Sequence, residues 1–327
     1  MDELGIRPIP PPLPRLPAIL RQVEAIPQVQ TKPQVWPCFV LFGIEMVVTL
    51  AVGITVGGAV MALYGEQAIT TSEGLVQYYG AFLATIPGLL STTPTGLAAL
   101  GMAIGAAIFS KTPWQQRLRL RPGTGRWWVC IPSLIGILAL GQTMTQTMQL
   151  CGIAPGPTLT AIATAFASLT GASLIVAVAT VGVLAGTAEE LFFRGYIQSR
   201  FQQRWGALLA ILLTSVLFGV LHLDLVHSPL AMGLGVYLGY LAFRTESIRL
   251  PIFAHVTNNA LSVLMGASHP ETTSSLGELA FSLALLVVSV LLIHIGTRPR
   301  SIAPIEHPIP QTTNAAAIDS RNETPLQ

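Results

Sequence analysis

Long apolar runs separated by short polar stretches dominate the chain. The runs predict membrane-length helices at Cys38–Leu63, Tyr79–Phe109, Trp127–Leu150, Ala172–Phe193, Gly206–Leu221, Pro229–Phe243, Pro251–Gly266 and Leu279–Gly296. Many are about 17–25 residues long, the length that spans a bilayer. The second is too long for one straight span. Pro87 and the run Ser91–Thr95 are expected to break it into an interfacial piece and a shorter membrane helix. Several later runs are short and would cross only with tilt, polar helix ends or local thinning. The expected fold is all-α, a polytopic transmembrane bundle of about eight spans.

Composition agrees with that pattern. The chain is 51% hydrophobic and 10% charged, against about 25% charged in soluble domains. The net charge of +2 is uninformative, but its distribution is not. The 17 Lys and Arg residues lie before the first span, after the second, at or after the end of the fourth, between the sixth and seventh, and after the eighth. Arg117, Arg119, Arg121 and Arg126 crowd one connection. The connections 64–78, 151–171, 222–228 and 267–278 hold no Lys or Arg; among them they hold Glu66, Glu73, Asp224, Glu271 and Glu278. The positive-inside rule then places both termini in the cytoplasm of a plasma or inner membrane protein.

The expected organisation has four parts. Residues 1–36 form a Pro-rich, disordered cytoplasmic arm, a linker or a PxxP ligand. Residues 37–171 form N-terminal membrane helices, 172–296 a catalytic core, and 297–327 a disordered polar tail. No cleavable signal peptide is visible at the start. Cys38, Cys130 and Cys151 form no disulfide framework and read as packing residues. The pairs Gly53/Gly57, Gly101/Gly105, Gly182/Gly186 and Gly235/Gly239 fit a close-packing pattern and predict a tight bundle.

The chemistry concentrates in Thr187–Gln198, where Glu189, Glu190 and Arg194 follow an uncharged run. A charge at bilayer depth costs roughly 2.5–3.5 kcal/mol, so three together need a reason. Glu190 and Arg194 are spaced for a helical ion pair, acid first. Glu189 projects about 100° away from Glu190 and is left free for chemistry. A packing salt bridge alone would explain Glu190 and Arg194, but not Glu189. His222 closes the fifth run. His255 and Asn259 share a face of the seventh. Singly, each reads more naturally as packing or interhelical glue. Glu189 and His222 lie 16 and 17 residues either side of Trp205, so both sit ~24–26 Å from a hairpin turn there. His255, four residues past Pro251, meets them only if that hairpin protrudes into the cytosol. The site is therefore expected in the cytoplasmic half of the membrane.

E-E-x-x-x-R at Glu189, Glu190 and Arg194, F-x-x-x-H at Phe218 and His222, and H-x-x-x-N at His255 and Asn259 together resemble the CPBP family. That family comprises type II CAAX prenyl endopeptidases and bacteriocin-processing or immunity-type membrane proteins. The resemblance covers about Ala172–Gly266. It implies an intramembrane endopeptidase acting on a membrane-associated, prenylated or leader-bearing peptide. In that reading Glu189 and His222 activate a water, and His255 and Asn259 bind the oxyanion, with Glu190 and Arg194 in support. No cofactor is preferred. Zinc on Glu189, His222 and His255 is the metal alternative, disfavoured by the lack of an HExxH motif. The expected partners are a peptide or membrane-protein substrate and the lipid bilayer, and no nucleic acid. The sequence sets no oligomeric state. Two other classes remain in view: a non-catalytic scaffold or immunity-type protein, and a proton-coupled transporter. The costly polar groups disfavour the first, and the lack of an internal repeat disfavours the second.

Overall fold

The computed structural model describes residues 33–65, 71–110, 112–266 and 274–297. Most of the expected Pro-rich arm, nearly all of the polar tail, and Glu66 and Glu271 lie outside them. Every regular element described is helical. The helices are α1 (Trp36–Tyr64), α2 (Ser72–Leu83), α3 (Ile86–Ser91), α4 (Thr93–Ile108), α5 (Trp114–Arg117), α6 (Cys130–Leu150), α7 (Pro157–Ser168), α8 (Gly171–Trp205), α9 (Ala207–Val220), α10 (His227–Thr245), α11 (Arg249–Gly266) and α12 (Leu276–Gly296). Five stretches are long and apolar enough to cross a membrane: α1, Ile86–Ile108, Trp127–Leu150, α8 and α12. The chain is a polytopic helical membrane protein.

The long second run breaks between α2 and α3. Thr85 is extended there, and its hydroxyl accepts the Gly88 N–H at 3.1 Å, capping α3 with Pro87 in the first turn. The uncharged connection 151–171 contains a helix, α7, that run length alone does not reveal. Its 12 residues are too few to span, so only its packing reveals it. Gly80 of α2 lies so close that a Cβ there would stand 2.9 Å from the Ala161 carbonyl oxygen.

The glycine pairs divide into two groups. Added Cβ atoms at Gly182 and Gly186 would meet the Ala260 Cα at 3.3 Å and the Val256 Cα at 3.2 Å, so α8 and α11 touch backbone to backbone. Gly235 similarly meets Ser215, and Gly239 meets Gln198 and Ile211. Gly53/Gly57 and Gly101/Gly105 have nothing within 4 Å. The expectation of tight packing at all four pairs is corrected there, because among the described residues nothing comes within van der Waals reach of these two pairs.

α8 runs unbroken for 35 residues, well past the expected end at Phe193. Val178–Ala185 and Glu190–Gln198 are wound as π-helix, with a short α-helical link, Gly186–Glu189, between them. π-winding is rare and gathers at functional sites. Gly206, at φ 87°, turns the chain from α8 into α9, where the hairpin turn was expected.

Asp224, in the connection from α9 to α10, holds two helix starts. Its Oδ1 accepts the N–H groups of Val226 (2.8 Å) and His227 (2.7 Å), opening α10. Its Oδ2 accepts the Thr158 N–H of α7 at 3.3 Å. Gly156 is required beside it, since a Cβ there would lie 2.7 Å from Asp224 Oδ1.

Candidate active site

The site is built where the second π-stretch of α8 begins, against α11 and the end of α9. Glu190 and Arg194 are fully buried and paired, with Arg194 Nη1 2.6 Å from Glu190 Oε1. Arg194 Nη2 also donates to the Gly235 carbonyl at 3.2 Å, and its guanidinium lies 4.7 Å from the Phe218 ring centre. One turn on, Gln198 Nε2 donates to the Gly239 carbonyl at 2.9 Å. Two α8 side chains four residues apart thus bind two α10 carbonyls four residues apart. The close approach of Gly235 and Gly239 to neighbouring side chains makes those carbonyls reachable. Gln198 was missed in the sequence because a lone amide in an apolar run carries no pattern.

His255 stands between the two glutamates. Its Nδ1 is 2.9 Å from Glu190 Oε1, and its Nε2 is 3.7 Å from Glu189 Oε2. A carboxylate only accepts, so Nδ1 carries the proton and Nε2 faces Glu189. The acids differ in access: the Glu189 side chain is 23% exposed and Glu190 is 0%. Glu190 is sealed in structure, while Glu189 is within reach of a ligand.

His222 joins through Phe218. Its Nδ1 bonds the Phe218 carbonyl oxygen at 2.9 Å. That bond requires an N–H at Nδ1 and leaves Nε2 as an acceptor. The Phe218 ring meets both imidazoles, with centroids 5.1 Å from His222 and 6.0 Å from His255. His227 stacks edge-on to His222 at 4.5 Å. Asn259 lies a turn beyond His255. Its Nδ2 donates to the Val181 carbonyl of α8 at 3.3 Å, and its Oδ1 accepts from Asn258 at 3.3 Å. Glu189, Glu190, Arg194 and His255 therefore form direct contacts, His222 is one ring removed, and Asn259 faces α8 with one amide N–H to spare.

Among the described residues, no group of three or more His, Cys, Asp or Glu side chains is arranged to hold a metal ion. A catalytic zinc needs three such ligands, so the arrangement does not fit one.

Residues 170–261 match the family described as type II CAAX prenyl endopeptidase, Rce1-like. That stretch is similar to the Rce1-like domain of that family. It begins at the start of α8 and ends within α11, so it contains all six site residues and the packed glycines beneath them. The curated "Putative membrane peptidase YdiL" of Bacillus subtilis (strain 168) is 38% identical over 77 residues, 24% of this chain and 32% of that protein. The match thus spans about a third of that relative's length. No solved structure matches.

One buried acid lies outside the matched stretch and outside the three motifs. Glu45 is the sole charge in α1 and is 1% exposed. Its signal was available, since one carboxyl in a 29-residue apolar helix needs a reason.

Proposed function

We propose that the chain is an intramembrane endopeptidase that hydrolyses a peptide bond of a membrane-associated, prenylated or leader-bearing substrate. The carrying observation is the asymmetry of the paired acids: Glu190 is sealed against Arg194 and orients His255, while Glu189 stays accessible opposite His255 Nε2. The Rce1-like match and the similarity to YdiL support the same reading.

The roles follow from the geometry. Glu189 takes a proton from a water that also bonds the free Nε2 of His222, and the hydroxide attacks the substrate carbonyl. His255, fixed by Glu190, exchanges that proton with Glu189 and steadies the charge that develops. Asn259 turns its unused amide N–H to the oxyanion. The proton then passes to the leaving amine. Eight spans with both termini cytoplasmic, a membrane-helix half (37–171) and a catalytic half (172–296) complete the proposal. It places the site toward the cytosol, where lipidated and leader peptides are reached.

Purified protein should cleave such peptides, and Glu189→Gln should not. Comparative proteomics of membrane peptides from wild-type and Glu189→Ala cells identifies the substrate by its missing cleavage. Activity lost to a chelator and restored by zinc would sink the metal-free mechanism. A wild-type protein that cleaves nothing in either assay would sink the enzyme itself.

A further inference from the structure

α1 is an outward-facing helix with only a small share of its residues buried, yet its one charge points inward. Glu45 Oε2 is buried and has no hydrogen-bond partner among the described residues, and the same holds for Thr49 Oγ1 one turn along. Several helical threonines satisfy the hydroxyl on the carbonyl four residues back, among them Thr55 at 2.8 Å, Thr143 at 2.7 Å and Thr180 at 2.9 Å, whereas the Thr214 hydroxyl of α9 is left unpaired. That of Thr49 is unpaired too. The charge of Glu189 acts on Glu45, so the two acids share one part of the bundle. α1 packs on α4, and α4 in turn packs on the stretch of α8 that carries Glu189.

Two buried polar groups left unpaired are costly in an apolar surrounding. The cost is recovered when something binds to them. A peptide entering an apolar site brings the matching need, because each of its N–H and C=O groups requires a partner there. The spacing also matches. Residues four apart on a helix stand ~6 Å apart along its axis, and same-side main-chain groups of an extended peptide repeat every ~6.6 Å. We propose that Glu45 and Thr49 form a substrate subsite that hydrogen-bonds two same-side main-chain groups of an extended peptide lying alongside Glu189. The subsite deepens the endopeptidase reading and rests on it.

The test uses the full-length protein and two quenched-fluorescent peptides in detergent micelles, one farnesylated at a C-terminal CAAX cysteine and one apolar and unprenylated. The Glu45→Leu/Thr49→Val double variant removes two unpaired polar groups, so its Tm should rise. Its KM should rise about tenfold or more, the loss of ordinary hydrogen bonds, with kcat little changed. Thr49→Val alone, which alters no charge, should move KM the same way by less. Glu45→Gln, whose amide still donates and accepts, should hold KM within about threefold. An unchanged KM in the double variant would overturn the subsite while leaving the enzyme reading intact. So would a falling Tm, which marks a structural role, or a Glu45→Gln variant as impaired as the double, which marks a role for charge. A wild-type protein that cleaves neither peptide, with no missing cleavage in cells, overturns the reading and the subsite together.

Discussion

Glu190 Oε1 accepts from two residues at once, Arg194 Nη1 at 2.6 Å and His255 Nδ1 at 2.9 Å. One buried oxygen thereby ties the ion pair of α8 to the imidazole of α11. Arg194→Ala should remove the cation from a sealed site and cost about 3–5 kcal/mol, the range for breaking one side of a buried pair. Thermal unfolding in detergent should show a large drop in Tm, with activity falling in parallel. Arg194→Lys should recover part of the stability, since one ammonium cannot serve both Glu190 and the Gly235 carbonyl as the fork does.

Glu189→Gln should do the opposite. The side chain is partly exposed and makes no close ion pair, so Tm should stay within a degree or two while cleavage disappears. Asn259→Ala should lower turnover about 100- to 1000-fold, the usual loss for one oxyanion donor, at nearly unchanged KM. A Glu190→Gln variant that keeps full stability and loses all activity, beside an active Glu189→Gln, would reverse the two roles.

The helix contact beneath the site is just as testable. A leucine at Gly186 must displace Val256, whose Cα and N lie 3.2 Å from any Cβ there. Overpacking of this kind costs typically 1–3 kcal/mol, and it would also draw His255 away from both glutamates. Gly186→Leu should therefore lose more activity than stability. Val256→Ala should rescue it only in part, because two of the three contacts are to backbone. Gly101→Leu, with nothing within 4 Å, should be silent in both assays.

These contrasts show how much was legible in the sequence. The i,i+4 spacing of Glu190 and Arg194 and the turn at Gly206 could be read directly, because both depend on neighbours along the chain. The bond from His255 to Glu190 could not, since which ring nitrogen meets which carboxylate depends on how closely α8 and α11 approach. The two idle glycine pairs share the motif of the two packed ones, and only tertiary contact separates them. The π-winding of α8 left no mark in the residue pattern. Glu45 was visible as a lone charge, but its direction and missing partner are properties of packing.

Orientation can be checked with a native residue. Cys151 is exposed at the end of α6, whereas Cys38 is buried. With Cys38 and Cys130 replaced by serine, a membrane-impermeant maleimide should label Cys151 in intact cells. A cysteine at Gln203, exposed near the Gly206 turn, should label only after lysis in a background that also lacks Cys151. The reverse pattern would invert the topology.

Asp224 sets an acid limit on stability. Burial works against its charge, but the N–H of His227, the side chain and N–H of Thr158 and the N–H of Val226 outweigh that and hold the carboxyl down at about 2, against an ordinary 3.8. A depressed folded value means the ionised form stabilises the fold. That contribution is complete above pH ~4 and drains away as pH falls toward ~2. Asp224→Asn should lower Tm at neutral pH and flatten its acid dependence between those limits. An unchanged acid slope would show that another carboxyl governs it.

The bond from Asp224 to Thr158 has a topological consequence. It joins residues 66 positions apart, and the chain between them contains the whole of α8 and α9. Both arms of the α8–α9 hairpin are thus enclosed in a ring fastened at one point, with the Gly206 bend between them. Once that ring shuts during folding, the hairpin has little slack left to lose, and the further entropy of bringing α11 against it is correspondingly smaller. The clasp also limits rearrangement after folding. A shift of α8 along its axis relative to α10 must break the Arg194–Gly235 and Gln198–Gly239 bonds and also pull on α7 or open the fastening, so a gating motion of the hairpin should be slower in the wild type than in Asp224→Ala.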